Sequence, residues 1–370
     1  MQQLNVSRLF DGEKWFDNVS VVIEHGVVQA ISPATVAVTQ GILVPGFIDV
    51  QVNGGGGALF NSAPTRQTLR TMLQAHARFG TTAMLPTVIT DAVEVMQSAA
   101  DAIAQAIADN EPGIIGVHFE GPHLSVPKKG VHPQQHIRQL SAPELALYGR
   151  NDLGVKLLTV APENVSPAQI RQLIELNVIV CLGHSNADSF TVQAALDAGA
   201  TGFTHLYNAM SPLTSREPGM VGVALADPHS WCGVILDGHH MHPLAAKVAL
   251  AAKPRGKLLI VTDAMSPVGT DETEFDLFDG KVVRHGNKLT DAQGRLAGSV
   301  LDMAGAVRYA IKSLDVAPDE ALRMASLYPA QFLHISHLGR IAAGYQADMV
   351  LLDENWQAIQ SWIGGQQLRQ

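Results

Sequence analysis

Histidines and carboxylates of this 370-residue chain gather where apolar runs end. Fifteen residues are histidine, and several follow stretches rich in Val, Ile and Leu. One such run ends on Glu120, another ends on His184, and His205 lies near the end of a third. Other polar residues at the ends of apolar runs are Gln51, Asn53, His118, Asp237, His239, His240 and Asp263. A glutamate, two histidines and an unpaired aspartate are the residue types of a hydrolytic zinc site.

Three protein ligands leave one coordination position of zinc open for water, whose pKa falls from about 16 to roughly 7. We predict that Glu120, His184 and His205 are these ligands. Asp263 can then take a proton from the water and protonate the leaving amine. A single histidine at a strand end usually has only a hydrogen-bonding role, so the prediction depends on four positions converging.

Eight apolar runs would bring these residues together, and most are followed by a segment of helical periodicity. The runs are Val44–Val52, Thr81–Ile89, Ile114–Glu120, Val155–Ala161, Val178–His184, Gly202–Tyr207, Trp231–Asp237 and Lys257–Asp263. Near-continuous apolar strands suit a sheet that is buried on both faces. The repeated alternation predicts an α/β fold, a closed (β/α)8 TIM-type barrel, whose chemistry lies at the carboxyl ends of the strands.

The two ends of the chain contain further short β-like runs, among them Ser20–Glu24, Val27–Ile31 and Met349–Leu352. Terminal strands that flank a barrel can pair with each other and so cover their exposed edges. We therefore predict a small discontinuous β-sandwich domain from residues 1–44 and 339–370. The catalytic barrel would then span residues 45–338.

Composition excludes several classes of protein. The formal net charge is -9 with a pI near 5.9, which gives no basic surface for nucleic acid or for an anionic membrane. No apolar stretch approaches the roughly 20 residues that span a bilayer. Cys181 and Cys232 are not at ligand spacing, and the first residues lack the apolar core of a signal peptide. We expect a cytoplasmic protein with reduced thiols and a small-molecule substrate.

Motifs along nearly the whole chain resemble those of one enzyme superfamily. Pro45–Asp49 at the first strand and Leu338–Gly344 near the end are similar to segments of the amidohydrolase superfamily. Within it, six motifs resemble the N-acetylglucosamine-6-phosphate deacetylase family. They are His118-Phe119-Glu120-Gly121-Pro122, Lys129-Gly130-Val131-His132, Gly183-His184-Ser185-Asn186, Thr204-His205-Leu206-Tyr207-Asn208-Ala209-Met210, Arg216-Glu217-Pro218-Gly219 and Val261-Thr262-Asp263-Ala264.

The resemblance implies hydrolysis of N-acetyl-D-glucosamine 6-phosphate to D-glucosamine 6-phosphate and acetate. It gives Glu120, His184 and His205 as metal ligands and Asp263 as general base and acid, in agreement with the strand-end interpretation. It also implies that His132 polarises the acetyl carbonyl.

For the 6-phosphate, the resemblance implies binding by Arg216 and His240, with help from Asn208 and Ala209. An arginine fork matches the geometry of phosphate better than a lysine does. In related enzymes one phosphate contact comes from the neighbouring subunit. The resemblance therefore implies a homodimer or a homotetramer.

The first strand departs from the superfamily pattern. Many amidohydrolases have His-x-His there for a second metal, whereas this chain has Gln51-Val52-Asn53. Amide side chains are weak ligands for transition metals. We therefore predict one divalent ion per subunit, with Zn²⁺ expected first and Fe²⁺, Co²⁺ or Mn²⁺ as alternatives.

Three other functions stay open at this point. The substrate could be N-acetylgalactosamine 6-phosphate or another amino-sugar phosphate. A different amidohydrolase reaction, on a cyclic amide or a nucleobase, is a second alternative, and an inactive protein that binds a sugar phosphate is a third.

Overall fold

Eight parallel strands form the centre of the computed structural model, which describes residues 1–368. They follow one another around the sheet in chain order. Their bounds are Phe47–Val52, Thr81–Ile89, Gly116–Glu120, Val155–Val160, Val178–Leu182, Gly202–Phe203, Trp231–Val234 and Leu258–Ile260. A parallel bridge between Val52 and Ala264 joins the first strand to the segment behind the eighth. The predicted (β/α)8 barrel is confirmed.

Side chains from alternate positions of these strands fill the barrel, because successive residues of a strand point to opposite faces. Ile48, Val50, Leu157 and Leu259 belong to this inner core, and all four are buried. Helices cover the outside of the barrel. They span Arg66–Ala77, Val93–Ala108, Ala142–Tyr148, Pro167–Glu175, Ser189–Asp197, Gly219–Ala226, Pro243–Ala252, Met303–Leu314, Pro318–Ala325 and Leu327–Phe332.

The starts of several helices are fixed by side-chain caps. The Asp188 carboxylate accepts a hydrogen bond from the Thr191 backbone N–H, and Asp302 accepts one from Gly305. Ser166 and Gln169 form a capping box at the start of Pro167–Glu175. Such caps satisfy N–H groups that lack a partner within the helix. Short 3-10 turns at Val126–Lys128 and Gln134–His136 shape the loop behind the third barrel strand.

Five barrel strands end earlier than the sequence predicted. The runs expected to continue to Ala161, His184, Tyr207, Asp237 and Asp263 stop at Val160, Leu182, Phe203, Val234 and Ile260. The backbone leaves the extended conformation at these points, so the predicted carboxyl-terminal bounds were wrong.

Both termini contribute to one seven-stranded sheet. Thr39–Pro45 lies between the two ends of the chain, parallel to Gln2–Phe10 and antiparallel to Met349–Leu352. The remaining strands are Trp15–Glu24, Val27–Pro33, Ala358–Ile363 and Gln366–Gln367. The strands of the two termini thus pair as expected, while the domain boundaries at residues 44 and 339 stay predictions.

A second sheet that the sequence analysis did not predict lies between the eighth barrel strand and the helix Met303–Leu314. Its four antiparallel strands are Glu274–Leu277, Gly280–His285, Lys288–Asp291 and Leu296–Ser299, and we call it the mouth sheet. Two-residue strands Gly54–Gly55 and Ala58–Leu59 form a hairpin behind the first barrel strand. Within residues 1–368, no helix is both long and apolar enough to cross a membrane.

Candidate functional site

The three predicted ligands meet at the carboxyl end of the barrel. Glu120 is the last residue of its strand, while His184 and His205 follow theirs by two residues. The Glu120 Oε1 atom lies 3.2 Å from His184 Nε2 and 3.0 Å from His205 Nε2. The two Nε2 atoms are 3.0 Å apart, and all three side chains are buried. One cation could contact all three atoms.

The hydrogen bond of His184 Nδ1 determines which ring nitrogen carries the proton. The Nδ1 atom lies 2.9 Å from the Lys128 carbonyl oxygen, which can only accept a hydrogen bond. Nδ1 therefore carries the proton and Nε2 presents a lone pair to the cluster. A ring nitrogen that faces a carboxylate and a second imidazole with its lone pair is arranged for metal ligation. The donor set thus fits a divalent ion.

Burial alone would raise the Glu120 pKa, but the neighbouring imidazoles of His184 and His205 hold the pKa of this carboxyl well below its usual range. Glu120 therefore stays ionised at neutral pH. An anionic oxygen beside two imidazole nitrogens suits zinc and the other first-row divalent metals.

The backbone at the site is held in an unusual conformation. His184, His205 and Asp263 have φ values of 47°, 33° and 52°, in the left-handed region that non-glycine residues seldom adopt. Such conformations persist where the surrounding structure determines them, and they are common at functional sites. At Asp263, the N–H donates to the Gln51 carbonyl and the carbonyl accepts from the Ser299 N–H, both at 2.9 Å. These turns explain why the strands end early.

Asp263 lies beside the metal candidates without contacting an imidazole. Its Oδ1 atom accepts hydrogen bonds from Asn53 Nδ2 at 2.6 Å and from Gln51 Nε2 at 3.2 Å. Burial, and next the charge of Glu120, raise the pKa of Asp263 to about 6. A carboxylate with a pKa near neutrality is suited to both accepting and returning a proton.

Gln51 and Asn53 therefore point into the site as hydrogen-bond donors. Gln51 Nε2 lies 3.2 Å from both Glu120 Oε1 and Asp263 Oδ1. An amide N–H cannot coordinate a cation. This geometry therefore supports the sequence-based prediction that Gln51 and Asn53 do not hold a second metal.

His132 enters the same pocket from the loop behind the third barrel strand. Its Nδ1 lies 2.9 Å from Thr90 Oγ1, and the Thr90 backbone N–H points at it from 3.4 Å. Since a backbone N–H can only donate, it favours a ring with its proton on Nε2. Burial, and next the neighbouring His184, lower the pKa of His132 to about 3, which keeps the ring neutral. His132 can then offer an N–H to a substrate carbonyl.

The predicted phosphate-binding residues line the same pocket, with one exception. Asn208, Ala209 and His240 line the pocket together with the ligand triad, Asp263 and His132. The Asp237 carboxylate accepts a hydrogen bond from His240 Nδ1 at 2.6 Å. The other ring nitrogen of His240, Nε2, takes no part in this bond. Arg216 is exposed on the loop before Gly219–Ala226 and does not line this pocket.

His118 and the two cysteines have structural surroundings. His118 Nε2 lies 2.8 Å from Thr159 Oγ1 inside the barrel, and Cys181 and Cys232 are buried and unpaired.

Sequence reasoning missed part of the pocket wall. Leu296 and Gly298 of the mouth sheet line the pocket, as do Ile89, Val131 and Met265. The signal was present in the turn pairs Asp279-Gly280 and Gly286-Asn287, which are typical of hairpins.

Comparison with known proteins agrees with this geometry. The sequence profile of the Amidohydrolase family matches residues 42–367. An N-acetylgalactosamine-6-phosphate deacetylase of Shewanella sp. (strain ANA-3) is 59% identical, over 90% of this chain and 84% of that protein. An N-acetylglucosamine-6-phosphate deacetylase of Haemophilus influenzae is 34% identical, over 94% of this chain and 93% of that protein. The crystal structure of N-acetylglucosamine-6-phosphate deacetylase from Pasteurella multocida superposes with a TM-score of 0.94 at 32% identity, covering 100% of both chains. This chain belongs to the Amidohydrolase family.

Proposed function

We propose that this chain hydrolyses the acetamide bond of an N-acetylhexosamine 6-phosphate and releases acetate and the free amino-sugar phosphate. The observation that carries the proposal is the meeting of Glu120, His184 and His205 with Asp263 and His132 at one buried pocket. Relatives with this chemistry in their names cover nearly all of the chain. The reaction needs a base, an acid and a carbonyl donor, and the pocket holds side chains for each.

Glu120, His184 and His205 would hold one divalent ion, and Zn²⁺ is the first expectation, with Fe²⁺, Co²⁺ and Mn²⁺ as alternatives. When bound, such an ion supplies Lewis acidity and lowers the pKa of water. Elemental analysis of the purified protein identifies the metal and its stoichiometry.

Asp263 takes a proton from the attacking water in this proposal and then gives it to the amine nitrogen as the amide bond breaks. The same group can serve both steps because its pKa is raised towards neutrality. Gln51 and Asn53 hold Oδ1, which leaves Oδ2 free for the transfer. His132 donates its Nε2–H to the acetyl oxygen, where negative charge develops.

In the same pocket, the sugar and its phosphate would be bound by Asn208, Ala209 and His240. Asp237 orients His240, since it accepts the Nδ1–H and so directs Nε2 away from itself. We propose that Arg216 completes the phosphate site of a neighbouring copy in a homodimer or homotetramer.

The surface around Arg216 supports this assembly. Glu217 accepts a hydrogen bond from the Ser189 N–H at 2.8 Å, which joins the Arg216 loop to the start of Ser189–Asp197. Large apolar side chains are exposed nearby, with Phe190 82% and Leu213 54% exposed. An apolar patch of this kind is typical of a surface that another protein covers.

A mixing experiment tests whether Arg216 acts across the interface. Arg216→Ala and Asp263→Asn each inactivate every site of a homodimer, but a mixed dimer has one site with Asp263 and an arginine from its partner. We expect activity to return when the two variants are refolded together. No recovery, although mixed dimers form, would contradict the proposal.

For the sugar, the family resemblance implies N-acetyl-D-glucosamine 6-phosphate. The 59% identity to a galactosamine enzyme, against 34% to a glucosamine enzyme, favours a second substrate, N-acetyl-D-galactosamine 6-phosphate. We propose that both are hydrolysed and that the galactosamine epimer has the higher kcat/KM.

Acetate release from the two epimers, and from N-acetylglucosamine without phosphate, tests the proposed function. We expect hydrolysis of both phosphates and a loss of at least about 100-fold in kcat/KM without the phosphate, because its charge-assisted hydrogen bonds are missing. Equal rates with and without phosphate would favour another amidohydrolase reaction. The buried free cysteines suit a reducing compartment, and we propose that the enzyme works in the cytoplasm.

A further inference from the structure

The walls of the catalytic pocket differ in chemistry from one side to the other. Residues behind the sixth and seventh barrel strands, Asn208 and His240, form a polar side. Ile89, Val131 and Met265 form an apolar side, behind the second, third and eighth strands. The ligand triad and Asp263 lie in the same pocket as both sides.

Each apolar residue is a direct neighbour of a residue that we assign to the chemistry. Ile89 is paired in register with Glu120 on the adjacent strand. Val131 immediately precedes His132, and Met265 is two residues after Asp263. The apolar side is therefore close to the reacting atoms.

The proposed substrates also have a polar end and an apolar end. The acetyl methyl group is one bond from the carbon that is attacked, whereas the phosphate is at the far side of the sugar ring. Burial of a methyl group against apolar side chains stabilises binding by about 0.8 kcal/mol, while a phosphate placed there would lose its hydration without a partner. The methyl group must therefore face the apolar side.

We propose that Ile89, Val131 and Met265 form an acyl pocket that restricts the enzyme to short acyl groups. This inference rests on the proposed amide hydrolysis, and it names the residues that select the acyl group rather than the sugar.

The mouth sheet supports the acyl pocket from behind. Ile89 and Met265 pack with Leu277, Leu289 and Ala297 in one buried cluster. The Met265 N–H donates to the Ser299 carbonyl oxygen at 3.0 Å. Gly298 has φ 64°, and a Cβ atom at this position would overlap the Met265 side chain. Met265 therefore has no space to retreat from a longer acyl chain.

Val131 closes the pocket in another direction. It is half-buried, and it also lines a neighbouring cleft with Leu277 and Val282. Truncation of Val131 would connect the acyl pocket to this cleft and give a longer chain somewhere to go. Val131→Ala should therefore admit propionyl and butyryl groups with little damage to the buried core.

The test compares kcat/KM for N-acetyl-, N-propionyl- and N-butyrylglucosamine 6-phosphate in wild type, Ile89→Ala, Val131→Ala and Met265→Ala. Controls are the same changes at exposed positions, Val36→Ala and Ile359→Ala, at 59% and 41% exposure. We expect the ratio of propionyl to acetyl kcat/KM to rise about 10-fold or more in the pocket variants, as one methylene group can discriminate by 10- to 200-fold. The controls should keep the wild-type ratio.

Unchanged ratios in all three pocket variants would overturn the inference. If Ile89→Ala or Met265→Ala unfolds, two variants of Val131 test the inference instead. The ratio of propionyl to acetyl kcat/KM should rise in Val131→Ala, which shortens the side chain, and fall in Val131→Leu, which lengthens it. Wild-type release of acetate is measured first. Its absence would refute the proposed function, whereas acetate release with unaltered ratios would refute only the acyl pocket.

Discussion

Two carboxylates of one pocket, Glu120 and Asp263, have opposite surroundings. Glu120 contacts two imidazole nitrogens, and its pKa is held well below the usual range. Asp263 contacts only amide N–H groups, and burial together with the charge of Glu120 raises its pKa to about 6. Groups whose environments push their pKa values apart can take different roles in one reaction.

The hydrogen-bonding partners of each carboxylate decide what that carboxylate can do. Imidazole can present a lone pair to a cation beside Glu120, whereas the N–H groups of Gln51 and Asn53 can only donate. The half of the pocket around Glu120 is therefore suited to binding a metal. The half around Asp263 is suited to holding a base in place without a second ion.

The largest expected effect comes from removal of the Glu120 carboxylate. Glu120→Ala should lose the metal and reduce kcat/KM by more than about 10⁴-fold, because two imidazoles alone are a poor site. Metal content and acetate release are measured together. Glu94→Ala, on the exposed face of Val93–Ala108, is the control and should match wild type. A metal-loaded Glu120→Ala protein would contradict the division of roles.

A smaller loss is expected at the proposed carbonyl donor. His132→Ala should reduce kcat by about 10²- to 10³-fold and leave the metal in place, as loss of one oxyanion donor does. His136→Ala, four residues further along the same loop, should have little effect. If His132→Ala instead raises only KM, His132 binds the ground state and does not act on the developing charge.

The pH dependence of activity tests the half of the pocket around Asp263. A base must be ionised, so activity should rise with pH through the pKa of Asp263. Asn53 donates to Asp263 Oδ1 and so lowers that pKa. Asn53→Ala should move the acid limb of the kcat profile to higher pH, with a loss of up to about 10-fold on that limb and recovery at alkaline pH. An unmoved acid limb would show that Asp263 is not the titrating base.

The smallest effect on activity is expected at Asp49, a buried carboxyl that contacts the segment holding Asp263. Its oxygens accept from the Gln51 N–H and the Thr262 hydroxyl. Burial raises the Asp49 pKa to about 7. Because the folded pKa exceeds the unfolded one, its ionisation destabilises the fold as pH rises from about 4 to 7, by roughly 4 kcal/mol at completion.

Asp49→Asn should remove this contribution. The free energy of unfolding, measured in urea at pH 5 and pH 8, should fall less with rising pH in the variant than in wild type. A larger fall in the variant would contradict the raised pKa of Asp49.

The sequence predicted the barrel and the residues at its mouth from three local signals. These are the helical periodicity, the apolar runs and the types of residue at the ends of those runs. The sequence did not predict that the strands end before His184, His205 and Asp263, since the left-handed turns there depend on hydrogen bonds to distant segments such as Ser299. The pattern of residue types is the same whether the backbone extends or turns.

The mouth sheet and Arg216 show two other limits. Glu274–Ser299 is short and polar, and its wall residues are recognisable only once the sheet is folded over the pocket. Arg216 is exposed and does not line the pocket, although the resemblance implies that it binds the phosphate.

The most direct test of the division between the two carboxylates compares two isosteric changes, Glu120→Gln and Asp263→Asn, by metal stoichiometry and by kcat. Asp263→Asn should retain about one metal per subunit while kcat falls by about 10³-fold or more. Glu120→Gln should lose the metal. Loss of metal from Asp263→Asn, or near-normal turnover in it, would contradict the account.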